Sequence, residues 1–172
     1  MVKIVVLDDY QGVALSLADW SRFPTGTEIT VLSHNLEGKQ EIIKQLGEFE
    51  VISAMRERTV FSADILNQLP NLKLLVTTGM RNASIDLDAA TELGILVCGT
   101  GGSAQATSEL TWGLILALLR HIPEENMSIR KGEWQKTIGN GLEGKTLGVL
   151  GLGRLGSQVA MVGQAFGMSV IA

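Results

Sequence analysis

The residues with the plainest chemical meaning are Gly151, Gly153 and Gly156, set in Gly151-Leu152-Gly153-Arg154-Leu155-Gly156. Gly151 permits a sharp turn out of a strand. Gly153 leaves no Cβ between the backbone and a pyrophosphate, and Gly156 lets the following helix pack close to a sheet. The start of that helix offers unpaired N–H groups and the positive end of its dipole to an anion. A glycine-rich turn without a ligand would carry the same three residues, so the surroundings decide. An apolar, strand-like run covers 146–150, a helical pattern follows over 157–166, Gly167 reads as the helix stop, and 168–172 is strand-like again. Strand, glycine loop, helix and strand in this order begin a dinucleotide-binding βαβ unit. The acidic residue that would hold the ribose hydroxyls is expected about 20 residues beyond the motif. Ala172 is the last residue, so NAD and NADP are not distinguished and the cofactor site is expected to be incomplete.

The elements upstream must position anything else the chain binds. Lys3–Leu7 is a continuous β-branched run, the mark of a strand covered on both faces, and 28–32, 49–54, 72–77 and 95–98 read as four further strands. Helical patterns lie at Lys39–Leu46, 63–69 and 86–93, stopped by Gly47, Pro70 and Gly94. Strands alternating with short helices imply a parallel sheet with helices on both faces, here of flavodoxin-like type. Ligands of such sheets gather at the carboxyl ends of the strands. The residues there are Asp8, Asp9 and Tyr10, then Met55, Arg56 and Arg58, then the loop Thr78 to Asn82. Asp8 and Asp9 could touch a ligand, but such residues more often cap the next helix. Arg56 offers a planar fork of donors suited to a carboxylate or phosphate, and the Gly79 loop offers backbone N–H groups. Together they suggest an anionic substrate. Alone, Arg56 reads more often as a solvated or salt-bridged arginine.

Gly99-Thr100-Gly101-Gly102-Ser103 is the clearest break, a hinge or a plain loop. A helix over 105–120 follows it, apolar nearly all round, and such a helix needs cover on most sides. A shorter helix starts at Pro123, and 132–145 is an irregular arm.

Composition narrows the function classes. With 45% hydrophobic and 19% charged residues and a formal net charge of −4, the 172-residue chain reads as globular and cytoplasmic. Mild acidity argues against nucleic acid or an anionic membrane as partner. No apolar run approaches the roughly 20 residues that span a bilayer. The single cysteine, Cys98, reads as a buried thiol. His34 and His121 lack any partner arrangement suggesting catalysis, and no metal site is expected.

The order of these features resembles the D-isomer-specific 2-hydroxyacid dehydrogenases. The carrying stretches are the LVTTG loop, IDLDAATELGILV, TSELTWGLILALLRHIPE and GKTLGVLGLGRLG. The resemblance implies a substrate domain at 1–102 and the beginning of an NAD(P)-binding Rossmann domain at 103–172. It implies that a 2-keto acid and a D-2-hydroxy acid are interconverted by hydride transfer. Gly79, Met80 and Arg56 would then hold the substrate, with Arg81 either a further cationic contact or a solvated side chain. Thr107, Gly151, Gly153, Arg154, Leu155 and Gly156 would form the cofactor site. The family's catalytic Arg, Glu and His fall later in the pattern, so no catalytic residue is assigned and the chain alone is expected to be inactive. A homodimer or higher assembly through 103–172 is expected. Two departures stand out. The family loop G-x-G-x-D-N-[IV]-D is here Gly79-Met80-Arg81-Asn82-Ala83-Ser84-Ile85-Asp86, and the usual Asn-x-Pro is Gly99-Thr100-Gly101. The rival reading is a non-catalytic module that binds an anion or a dinucleotide.

Overall fold

The computed structural model describes all 172 residues and divides into two compact units, Met1–Gly102 and Ser103–Ala172. In the first, the apolar runs form β1 (Lys3–Val6), β2 (Glu28–Val31), β3 (Val51–Ala54), β4 (Leu74–Thr77) and β5 (Leu96–Gly99). All pair in parallel in the order β2-β1-β3-β4-β5, the flavodoxin-like order. β1 to β4 are each one or two residues shorter than the expected strand, because flanking residues bond into turns, and β5 keeps its length but lies one residue later. Phe49 N–H, for example, donates to Leu46 O, and Leu72 N–H to Leu69 O.

The helices α1 (Lys39–Leu46), α2 (Ala63–Leu66) and α3 (Leu87–Glu92) cover one face of this sheet. Alternate strand residues Val5, Leu7, Ile52, Ala54 and Leu75 meet Ile42, Leu46, Ile65, Leu66, Ala89 and Ala90 there, around the fully buried Phe61. Asp86 starts α3 by accepting the Ala89 N–H at 3.0 Å, and Gly94 ends it at φ +70°.

The opposite face differs from the expected second helical layer. Between β1 and β2 the chain makes only two 3₁₀ turns, Ala14–Ser16 and Trp20–Arg22. Gly12, Asp19, Pro24 and Gly26 interrupt every longer helical register in this stretch. Trp20, Phe23 and Pro24 lie against Ile4, Val51 and Leu74 around a 260 Å³ apolar cavity. Trp20 Nε1–H donates to Ala14 O at 3.0 Å and fixes the turn.

The second unit is built on α4 (Gln105–Leu119), α5 (Ile122–Arg130), β6 (Thr146–Gly148), α6 (Arg154–Ala165) and β7 (Ser169–Ile171), with β6 and β7 paired in parallel. Helix α6 starts three residues earlier than its apolar pattern, with Gly153 as its first flanking residue. Trp112 of α4 is its buried centre: Nε1–H donates to Val159 O at 3.2 Å and the ring packs on Phe166, centroids 5.1 Å apart. A Cβ on Gly163 would lie 2.7 Å from Leu147 Cδ2 and 3.4 Å from Trp112, so the absence of a side chain here lets α6 pack closely on β6 and α4. The rest of α4 is less covered than its composition demands: Leu110, Leu114 and Leu118 all stand exposed. The irregular arm is fastened by Glu125, whose Oε1 accepts the Thr137 N–H and hydroxyl, each at 2.6 Å. These donors hold the Glu125 carboxyl below its ordinary pKa. No helix is long and apolar enough to cross a membrane.

Candidate functional site

The glycine loop lies between β6 and α6. Gly151 takes φ +92°, a left-handed conformation that glycine adopts without strain. A Cβ on Gly156 would fall 2.0 Å from Gly151 O and 3.1 Å from Val149 Cγ1. This glycine therefore permits the loop to fold back on the first turn of α6. At Gly153 the reverse holds: nothing lies within 4 Å of a Cβ built there, so the space in front of it is open. That space belongs to a cleft of about 660 Å³. Thr107 of α4, Gly151, Gly153, Arg154, Leu155 and Gly156 all line it. The six residues singled out for a cofactor are thus gathered in one place. Open backbone at Gly153, a helix N-terminus and the Arg154 side chain are the donor set a pyrophosphate needs, so the residues present fit a dinucleotide.

In the first unit the substrate candidates lie at the carboxyl ends of β3, β4 and β5. Arg56 leaves β3 at φ +48°, and its Nη1 sits 3.1 Å from where a Gly79 Cβ would be. The guanidinium therefore rests on the glycine loop. Met80 is largely exposed, and Met80 and Arg81 line a 520 Å³ cleft with Thr77, Asn82 and Gly99. Arg56 and Gly79 lie beside this cleft rather than among the residues that line it.

Three residues without an assigned role in the sequence organise this loop. Asn82 donates through Nδ2 to Arg56 O (2.6 Å) and Thr77 Oγ1 (2.8 Å), and its Oδ1 accepts the Ser84 N–H (2.9 Å). Thr100 Oγ1 accepts the Gly79 N–H at 3.0 Å. The Thr100 N–H in turn is shared between Thr77 O and Gly79 O, each at 3.2 Å. A Cβ on Gly99 would lie 2.6 Å from Gly79 O, so only glycine permits this approach. The Gly99-Thr100 departure from the family pattern is therefore structural: it pins the Gly79 loop and occupies the Gly79 N–H. The only available signal was the departure itself.

Asp9 acts as a cap, its carboxylate accepting the Val13 and Ala14 N–H groups at 3.0 and 2.9 Å. These two bonds, Ala14 first, hold its carboxyl below the ordinary pKa. Cys98 is half-buried in β5. His121 precedes α5 at φ +51° and faces Glu124 at 3.6 Å on the surface.

Comparison with known proteins agrees with this geometry. Residues 112–172 match the family model for the D-isomer specific 2-hydroxyacid dehydrogenase NAD binding domain. D-3-phosphoglycerate dehydrogenase of Methanocaldococcus jannaschii is 36% identical over 175 residues, spanning 99% of this chain and 32% of that one. Hydroxypyruvate reductase of Thermotoga maritima is 41% identical over 148 residues, 84% of this chain and 48% of its own. The crystal structure of phosphoglycerate oxidoreductase from Vibrio cholerae superposes with a TM-score of 0.86 at 37% identity, over 99% of this chain and 55% of that one. The chain thus spans about half or less of the length of these relatives. It belongs to the D-isomer-specific 2-hydroxyacid dehydrogenase family. Its nucleotide cofactor is of the NAD(P) class.

Proposed function

We propose that the chain supplies the substrate loop and the pyrophosphate cradle of an oxidoreductase that interconverts a 2-keto acid and a D-2-hydroxy acid. The observation that carries this reading is the gathering of Thr107 and the glycine loop around one cleft whose open space lies in front of Gly153. On this reading Met1–Gly102 is the substrate domain and Ser103–Ala172 the beginning of the nucleotide domain. Arg154, Leu155 and Gly156 offer first-turn N–H groups to the pyrophosphate. When bound, the nicotinamide ring supplies or accepts the hydride at the substrate carbon. Arg56 and the backbone of Met80 and Arg81 hold the substrate carboxylate, while the Gly79 N–H stays with Thr100. Arg81, on the wall of the substrate cleft, adds a cationic contact.

Reduction of a ketone also needs a positioned proton donor. Neither histidine lines either cleft, so the 172-residue chain is proposed to bind its ligands without turning them over. It is further proposed to associate as a homodimer or larger through 103–172, where α4 exposes its leucines, and to work in the cytoplasm.

Fluorescence titration with NADH and NADPH tests the cradle: micromolar to millimolar binding that Arg154→Glu weakens is expected, and no binding sinks the reading. NADH oxidation by this chain with glyoxylate or hydroxypyruvate would overturn the proposal that it needs more than its own residues.

A further inference from the structure

The second unit holds a pocket that the glycine loop does not use. It measures about 240 Å³ and is lined by Leu116 and Arg120 at the end of α4, by Asn140, Leu142 and Glu143 of the arm, and by Phe166 after α6. It shares no residue with the cleft in front of Gly153. Its volume is below the roughly 300–1,000 Å³ of pockets for drug-sized ligands, so it suits a smaller molecule. Leu116 stands two positions from both Leu114 and Leu118, about half a rotation round the helix. The pocket therefore lies away from the exposed leucines of α4.

Backbone bonds fasten the arm on either side of it. Asn140 N–H donates to Leu119 O at 2.8 Å, and Gly144 N–H donates to Gly167 O at 3.0 Å. Each charged side chain of the lining rests on a glycine. A Cβ on Gly139 would lie 2.8 Å from Arg120 Nε, and one on Gly167, at φ +73°, would lie 3.3 Å from Glu143 Cγ. These seats keep the guanidinium and the carboxylate apart: no ion pair of the chain includes either. The rest of the lining, apart from the Asn140 carboxamide, is apolar. Leu142 is buried, and Phe166 is held from behind by Trp112.

Such a lining selects by charge. A simple anion would meet Glu143 and a simple cation would meet Arg120, and like charges brought together oppose binding. A molecule with both signs on neighbouring groups meets each wall favourably. The guanidinium fork matches a carboxylate, and a carboxylate accepts strong charge-assisted hydrogen bonds from an ammonium. Leu116, Leu142 and Phe166 gain by covering an apolar side chain.

We infer that this pocket binds a free α-amino acid with an aliphatic side chain: Arg120 takes the carboxylate, Glu143 the ammonium, and Leu116, Leu142 and Phe166 the side chain.

The test is calorimetric titration of the chain with L-leucine, isocaproate, which lacks the ammonium, isoamylamine, which lacks the carboxylate, and glycine, which lacks the side chain. L-leucine is expected to bind about tenfold or more tightly than each of the other three. Glu143→Gln, at an exposed position on the arm, weakens L-leucine about tenfold and strengthens isocaproate, because the repelling charge has gone. A residue that only supports the fold would not invert the preference in this way. Arg120→Gln weakens L-leucine and strengthens isoamylamine, and both variants bind NADH as the unaltered chain does. If Arg120→Gln fails to fold, Glu143→Gln decides alone. No binding of L-leucine at about 10 mM, binding of isocaproate as tight as that of L-leucine, or a Glu143→Gln chain with unchanged preference would each overturn the inference.

Discussion

The two units solve the burial problem differently. In Met1–Gly102, eighteen apolar residues form one continuous core between a five-stranded sheet and three helices. In Ser103–Ala172 only Ala104, Trp112, Leu142 and Ala160 are buried apolar residues, and the sheet has two strands. A two-stranded sheet is marginal by itself, and leucines left exposed along α4 cost what their burial would return. The first unit thus carries its candidate site on loops over a self-sufficient core. The second carries its glycine cradle on a scaffold that buries little apolar surface of its own.

The largest expected effect tests that contrast directly. Phe61→Ala should cost about 3–5 kcal/mol by urea unfolding, because Phe61 is fully buried in the first core. Leu118→Ala, at an exposed position on α4, should stay within about 0.5 kcal/mol. Comparable losses from the two would remove the distinction between the units.

Next is the cradle. Alanine at Gly156 gains up to about 1 kcal/mol of helix propensity. Its methyl would meet Gly151 O at 2.0 Å, and overpacking of that kind costs about 1–3 kcal/mol. The clash wins, so Gly156→Ala should lower the melting temperature and weaken NADH binding. Gly153→Ala has room and should weaken NADH binding alone. Equal melting-temperature losses from the two would mean that the cradle is not the rigid part of its unit.

A third expectation concerns cover. Leu114→Glu with Leu118→Glu should lower the mass seen by light scattering, and should make the unfolding midpoint independent of protein concentration. A wild-type chain that is already monomeric at micromolar concentration would break the proposal of association.

The smallest effect is electrostatic and compares one carboxylate of each unit. Asp9 and Glu125 both have folded-state pKa values below their ordinary ones, through the N–H groups of Ala14 and Val13 and through Thr137. Each contribution is complete above the unfolded-state carboxylate range and is lost as pH falls through the depressed folded value. Asp9→Asn and Glu125→Gln should therefore be less stable than wild type at pH 7, and the gap should close as pH falls through the lowered folded-state values. A gap that persists in acid would assign the loss to packing instead.

Strand identity was legible because β-branched runs such as KIVV and VISA are local signals. The glycine motif was legible because its spacing encodes one short turn. The missing helix between β1 and β2 was harder to see, since VALSLADWSRF alternates helix formers with breakers at no fixed period. The loop-pinning residues left only the Gly99-Thr100 departure and the place of Asn82 in the candidate loop as signals. Asn82 reaches Arg56 across 26 positions and Thr100 reaches Gly79 across 21, so neither contact is visible until the sheet aligns its strand ends. Gly163 shows the same limit within a helix: nothing in its neighbours announces that Leu147 and Trp112 lie under it.

The placement of the three indoles gives the molecule built-in optical probes. Trp20 sits in the turn of the first unit and Trp112 in the centre of the second, while Trp134 stands 73% exposed on the arm. With Trp134 replaced by phenylalanine, the red shift of emission on denaturation would carry one chromophore from each half. Phe substitution of Trp20 or Trp112 in turn would then time the melting of the sheet and of the glycine cradle independently in the same cuvette.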